Sequence, residues 1–201
     1  MSVPAVGEAQ VARAAAARRA KPNGWWAMVC LIATEAALFG TFIASYFYLR
    51  FRAVEWPPPG ATEPKLAVPL VLTAVLVSTS LPMHLASTAA TRGRLRTARG
   101  ALFLAFFVGS GYLAMQMWRL RESLESARPE DSAYQSVVYL LSGGHHAHVL
   151  VGLLLNVWLL ARLVRGLTNY RAIGVQVTAL YWHFVNALAV AVTLTTLSPA
   201  L

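Results

Sequence analysis

The chain has 201 residues, of which 57% are hydrophobic and only 12% are charged. The charged share is about half that of an ordinary soluble domain, so the composition indicates an integral membrane protein. The formal net charge is +9, but basic and aromatic residues do not interleave as they do in single-strand binders, and we predict no nucleic-acid partner.

The N-terminal segment, residues 1–24, is rich in Ala and Arg and lacks the apolar core of a cleavable signal peptide. An organelle transit peptide is the alternative for such an Arg-rich, acid-poor start. The segment is short and runs directly into an apolar stretch, so we predict a mobile, basic cytoplasmic tail. The membrane domain is then expected to cover residues 25–201.

Apolar stretches of about 20 residues, the length needed to cross a bilayer core, occur five times. Pro-, Gly- and charge-rich joints separate them, among them "EWPPPGATEP" and "TRGRLRTARG". The sequence therefore predicts an all-α, polytopic bundle of five transmembrane helices. The predicted spans are Trp25–Leu49, Val68–Ala90, Gly100–Trp118, Ser136–Leu160 and Val175–Ser198.

The distribution of basic residues predicts the orientation. Most of the 17 Lys and Arg residues fall in the N-terminal tail, the second–third loop and the fourth–fifth loop. Cytoplasmic loops carry the excess of Lys and Arg in membrane proteins. We therefore expect the N-terminus in the cytoplasm and the C-terminus on the opposite, outer side.

Few ionisable residues remain inside the spans. An acid at a helix centre costs about 2.5–3.5 kcal/mol on insertion scales, so such residues are functional candidates by default. Counted along the helices, four of them lie at similar depth, roughly 15–25 Å from the cytoplasmic end. They could meet if the first, fourth and fifth spans are neighbours. The four are Glu35, His145, His148 and His183, while His84 lies nearer an end.

Three uses of these histidines are open from the residues alone. His145 and His148 are three apart and are expected to share a helix face, with His146 pointing elsewhere. With Glu35 or His183, that pair could bind zinc, copper or iron. Alternatively, the histidines could form hydrogen bonds between helices, or they could handle protons or bind lipid headgroups.

The motifs together resemble subunit III of the haem–copper terminal oxidases, in a short five-helix form. "WWAMVCLIATEAALFGTFIASYFYLR" is similar to that family's first core helix, and "WPPPG" follows it as in the family. "LVLTAVLVSTSLPMHLA" is similar to the next helix. "SGGHHAHVLVGL" resembles Thr-Gly-Phe-His-Gly-Leu-His-Val-x-x-Gly, and "YWHFVN" resembles Tyr-Trp-His-Phe-Val-Asp. The resemblance covers nearly the whole chain after residue 22.

The resemblance implies which residues matter and where the chain departs from the pattern. Two substitutions fall in the fourth span, where His146 replaces a Gly and Gly144 replaces a Phe, and a third is Asn186 in place of Asp. The third helix of that family often ends in Glu-Tyr, which is absent here. In this chain Trp118 and Arg119 follow Gln116 and Met117. The candidates for buried polar contacts, proton tuning or lipid binding are Glu35, Arg50, His145, His148, Tyr181, Trp182, His183 and Asn186.

By the same resemblance, the chain is an accessory subunit that holds neither catalytic residues nor metal. Haem and copper are expected in the partner catalytic subunit I, with subunit II and membrane phospholipids as further partners. The expected location is a bacterial inner membrane, and the expected role is to sustain proton uptake, through Glu35 and His148, and to slow inactivation. The alternatives are a five-helix relative that accompanies a nitric oxide reductase, or a free-standing proton-coupled transporter or scaffold.

Overall fold

The computed structural model describes residues 21–58 and 66–200, and these form long α-helices joined by short turns. Within these described residues, five stretches are long and apolar enough to cross a membrane, which confirms the predicted five-helix membrane bundle. Most of the predicted tail, residues 1–20, lies outside the described residues. The helices are α1 (Asn23–Arg52), α2 (Ala67–Ser78), α3 (Ser80–Thr91), α4 (Leu95–Ser126), α5 (Ala133–Leu163) and α6 (Asn169–Leu197).

The second span consists of two helices, α2 and α3, which meet at Thr79. The Thr79 hydroxyl donates to the carbonyl of Leu76 at 2.5 Å. Pro82 follows three residues later and lacks the N–H that would bond to the carbonyl of Ser78. The interruption therefore has a local cause, and it leaves the Thr79 side chain inside the bundle, where it is buried.

The helices extend beyond the predicted spans because polar residues next to an apolar run remain helical. α4 continues to Ser126, and α5 begins just after Ser132, whose hydroxyl accepts from the Gln135 amide at 3.1 Å. Two turns use glycines with φ of 71° at Gly93 and 92° at Gly166. These backbone angles are accessible to glycine at little cost, so both glycines allow tight reversals between long helices.

The fifth span, α6, lies at the centre of the bundle, and α1 lies at its edge. α6 packs against α1, α2, α3 and α5, whereas α1 packs mainly against α5 and α6. The first, fourth and fifth spans are thus neighbours, which is the arrangement that Glu35 and the histidines need in order to meet. One end of the bundle carries Asn23 and the other carries Arg52; these are called the Asn23 end and the Arg52 end below.

Candidate functional site

Glu35 and His148 form a direct contact between α1 and α5. The Glu35 Oε2 atom lies 3.1 Å from His148 Nε2, and the side chains are 25% and 19% exposed in the isolated chain. His148 Nδ1 lies 2.7 Å from the Gly144 carbonyl, which can only accept a hydrogen bond, so Nδ1 carries a proton. Nε2 therefore either accepts from a neutral Glu35 or, as an imidazolium, donates to its carboxylate. The pair can hold one proton on either residue.

The surroundings fix the His148 ring in place. The Phe39 ring packs edge-on against it, with centroids 5.2 Å apart. A Cβ atom at Gly144 would lie 3.2 Å from Phe39, so the glycine leaves room for this ring. The Tyr181 hydroxyl donates to the backbone carbonyl of His148 at 3.2 Å. We call Glu35, His148 and Tyr181 the α1 junction, because these three residues join α1 to α5 and α6.

His145 lies elsewhere, on the side of α5 that faces α4. Its Nε2 atom is 3.3 Å from the Tyr112 hydroxyl, and that hydroxyl accepts a hydrogen bond from the Gln116 amide. His146 lies beside it, with ring centroids 5.7 Å apart, although we expected it to point away from His145. Three residues rotate a helix by about 300°, so His145 and His148 differ by about 60°, enough to reach different neighbours when α5 lies between α1 and α4.

Trp182 and Asn186 form a second polar group, inside the bundle. The Trp182 Nε1 atom donates to the Thr79 hydroxyl at 2.7 Å, and the Asn186 amide donates to Ser80 at 2.7 Å and to Thr79 at 3.4 Å. Seven residues beyond Asn186 along α6, the Thr193 hydroxyl lies 2.8 Å from the Thr73 hydroxyl of the second span. We call this line of contacts between α6 and the second span the α6 seam.

The remaining predicted residues lie apart from both groups. His183 faces His84 of α3, with ring centroids 6.5 Å apart. Arg50 donates to the Ser198 hydroxyl at 2.7 Å and joins α1 to the end of α6 at the Arg52 end. Within residues 21–58 and 66–200, no three His, Cys, Asp or Glu side chains are grouped so that they could hold a metal ion.

A cavity of about 450 Å³, which the sequence did not indicate, lies at the Asn23 end between α1, α5 and α6. Its lining is mostly apolar, with Arg162 and Arg171 among the lining residues. The Arg162 guanidinium lies over the ring of Trp158 at 4.8 Å, and Arg171 donates to the carbonyl of Gly166 at 2.6 Å. The cavity therefore combines an apolar volume with two cations, which suits an acyl chain with an anionic headgroup.

Similarity to known proteins covers most of the chain. The family model described as cytochrome c oxidase subunit III matches residues 18–196. Cytochrome c oxidase subunit 3 of Thermostichus vulcanus is 29% identical over 164 residues, 80% of each chain. The probable cytochrome c oxidase subunit 3 of Nocardia farcinica is 35% identical over 159 residues, 77% of each chain. The subunit 3 of Pisaster ochraceus is 31% identical over 80% of this chain and 64% of its own length.

Proposed function

The chain belongs to the cytochrome c oxidase subunit III family, which makes it a subunit of a haem–copper oxidase complex, and we propose that its role there is accessory. In this proposal, catalytic subunit I and subunit II reduce O2 to water with electrons from cytochrome c or quinol and pump protons. Haem and copper are held by those partners. This chain sustains proton uptake by the catalytic subunit, binds phospholipid and lengthens the working life of the complex.

The proposed orientation places the Asn23 end at the cytoplasmic face of a bacterial inner membrane. Its support is the basic residues at this end, which include Arg92, Arg94, Arg162 and Arg171 beside the helix termini. Cytoplasmic loops are the usual location of such residues. The cavity at the Asn23 end would then open toward the inner leaflet, and the loop with Trp56 would face the outer side.

The observation that carries the proton-tuning proposal is the 3.1 Å contact between Glu35 and His148. A carboxyl and an imidazole that share one proton are together neutral and can lie inside a span, whereas gain or loss of a proton leaves the pair with a net charge that a group of a neighbouring subunit would have to balance. Both side chains retain partial exposure in the isolated chain, so the pair is accessible to an exchanging partner. The α1 junction is thus suited to tune the protonation of a neighbouring subunit.

The variant Glu35→Gln tests this role, because glutamine keeps a hydrogen bond to His148 but cannot exchange a proton. In the purified complex, we expect slower proton uptake and a shorter lifetime during turnover, with the complex intact. Glu55→Gln, in the loop after α1, is the matched control and should behave like the wild type. Unchanged turnover, lifetime and proton uptake in Glu35→Gln would reject the role of Glu35.

The lipid-binding proposal rests on the cavity at the Asn23 end, where Arg162 and Arg171 would bind a phosphate and the apolar lining would hold an acyl chain. Native mass spectrometry of the complex should show a bound anionic phospholipid that the double variant Arg162→Ala/Arg171→Ala loses. Arg165→Ala is the control, since Arg165 is exposed and does not line the cavity. Equal retention of lipid in both variants would contradict the assignment.

Purification through an N-terminal tag, followed by a haem spectrum and by O2 and NO consumption, tests the parent complex. Haem with O2 uptake supports the oxidase. Haem with NO uptake alone would favour the relative that accompanies a nitric oxide reductase. An intact preparation without haem would instead favour a free-standing transporter or scaffold.

A further inference from the structure

The pair His84 and His183 lies on an outward face of the bundle formed by α3 and α6. His84 is exposed and His183 is half-buried in the isolated chain. The surrounding side chains are apolar and exposed, from 39% at Val190 to 76% at Leu81. Within the described part of the chain, neither imidazole has a hydrogen-bond partner. We call this surface the His84–His183 face; it also includes Leu81, Leu85, Ala187 and Val190.

The depth of this pair separates it from ordinary surface histidines. His183 stands midway along the 29-residue helix α6, roughly 21 Å from either end at 1.5 Å per residue. The half-thickness of a bilayer core is about 15 Å, so neither water nor a headgroup reaches the middle of a span from its ends. Acyl chains cannot accept or donate hydrogen bonds. His183 therefore needs a polar partner at mid-depth, which lipid does not supply, and the ring of His84, although His84 is nearer an end of its own span, lies 6.5 Å from that of His183.

His148 shows how this chain can satisfy an intramembrane histidine, whereas the buried Nδ1 atoms of His145 and His146 have no hydrogen-bond partner among the described residues. Both ring nitrogens of His148 have partners, Glu35 and the Gly144 carbonyl. The α6 seam ends beside the face: Asn186 and Ser80, which are bonded to each other, lie one turn from His183 and His84 respectively. The hydrogen bonds of the seam therefore end one helical turn from the two imidazoles, and no hydrogen bond within the described residues reaches either ring.

We propose that the His84–His183 face is the docking surface for a transmembrane helix of the catalytic subunit, which presents a hydrogen-bonding side chain to the two imidazoles at mid-depth. This inference rests on the proposed function, since it requires an oxidase complex. The partner side chain is a carboxyl, hydroxyl or amide, because each can bond to a neutral imidazole. Apolar residues around the pair, such as Leu81 and Leu85, would pack against the same helix.

The first test is the double variant His84→Leu/His183→Leu in the complex purified through subunit I. The ratio of this chain to haem after a detergent challenge should fall roughly threefold to tenfold, as expected for losing one or two interhelical hydrogen bonds. Thr41→Leu, on an exposed face of α1, is the control and should leave the ratio unchanged. The pair His84→Gln/His183→Gln should restore most of the retention, because glutamine can still bond. Wild-type retention of the leucine variant would overturn the proposal.

The second test leaves both histidines in place. A photoreactive residue at Leu85, which is 50% exposed, should crosslink to the haem-bearing subunit, whereas one at Leu154 on the outer side of α5, 60% exposed, should not. Adducts only with lipid or with a second copy of this chain, or no protein adduct, would overturn the proposal. If the wild-type complex carries no haem at all, the proposed function fails; if it carries haem and the Leu85 crosslink is absent, only this inference fails.

Discussion

α1 and α6 have similar sequence character but opposite surroundings. The most apolar 18-residue segment of each helix has a mean hydropathy of 1.9 in α1 and 1.5 in α6. Only 6% of this segment is buried inside the chain in α1, compared with 50% in α6. α1 is attached by polar contacts at Glu35 and Arg50 and by a small apolar cluster around Phe39 and Tyr46. α6 is held by close packing around Trp182 and by the α6 seam. Hydropathy therefore identifies membrane helices but does not distinguish a central helix from a peripheral one.

The comparison predicts that substitutions in α6 cost more stability than substitutions at the α1 junction. Trp182→Ala should have the largest effect, because the ring is fully buried and bonded to Thr79. We expect a loss of about 3–5 kcal/mol, the range for removing a buried aromatic side chain. The measurement is the free energy of unfolding in mixed micelles. Trp118→Ala, at a 65% exposed site, should change it little, and similar losses at both sites would contradict the central role of Trp182.

The packing around Trp182 can be tested without removing the ring. A Cβ atom at Gly152 would lie 2.7 Å from the Trp182 ring, whereas one at Gly143, on the same helix, would meet nothing within 4 Å. Gly152→Ala should therefore destabilise the chain by about 1–3 kcal/mol. Gly143→Ala should be neutral or stabilising by about 0.5–1 kcal/mol, because alanine favours the helix. A stabilising Gly152→Ala would show that the contact between α5 and α6 is looser than described.

The third prediction concerns the polar part of the α6 seam. Thr79→Val removes the oxygen that accepts from Trp182 and Asn186 while keeping a similar volume. A loss of about 1–2 kcal/mol is expected, since two buried donors lose a partner inside a membrane protein. Thr41→Val is the matched control, because the Thr41 hydroxyl bonds only to its own helix, at Ala37. Equal thermal midpoints for the two variants would argue against a stabilising seam.

The sequence predicted the spans well because a bilayer requires long apolar segments, and that requirement is local. It also placed Glu35 and His148 at the same depth, so that they could meet if α1 and α5 are neighbours, and the structure shows that these helices are neighbours. It did not predict that His145 turns to α4, since the choice of neighbour depends on how α5 is rotated in the bundle. The residues that complete each group, Tyr112, Gln116 and Thr79, are uncharged and gave no signal. The roles proposed for the site residues stay predictions.

The smallest effect is expected at the α1 junction, from Tyr181→Phe. This change deletes one hydroxyl that donates to the His148 carbonyl at 3.2 Å and leaves the aromatic packing in place. Interhelical hydrogen bonds of this kind average about 0.6 kcal/mol in membrane proteins, so the free energy of unfolding should fall by about that amount. Tyr170→Phe, at a 69% exposed position, is the control. A loss as large as that of Thr79→Val would mean that the α1 junction and the α6 seam stabilise the bundle equally. In that case polar contacts would hold α1 in the bundle more firmly than its low burial indicates.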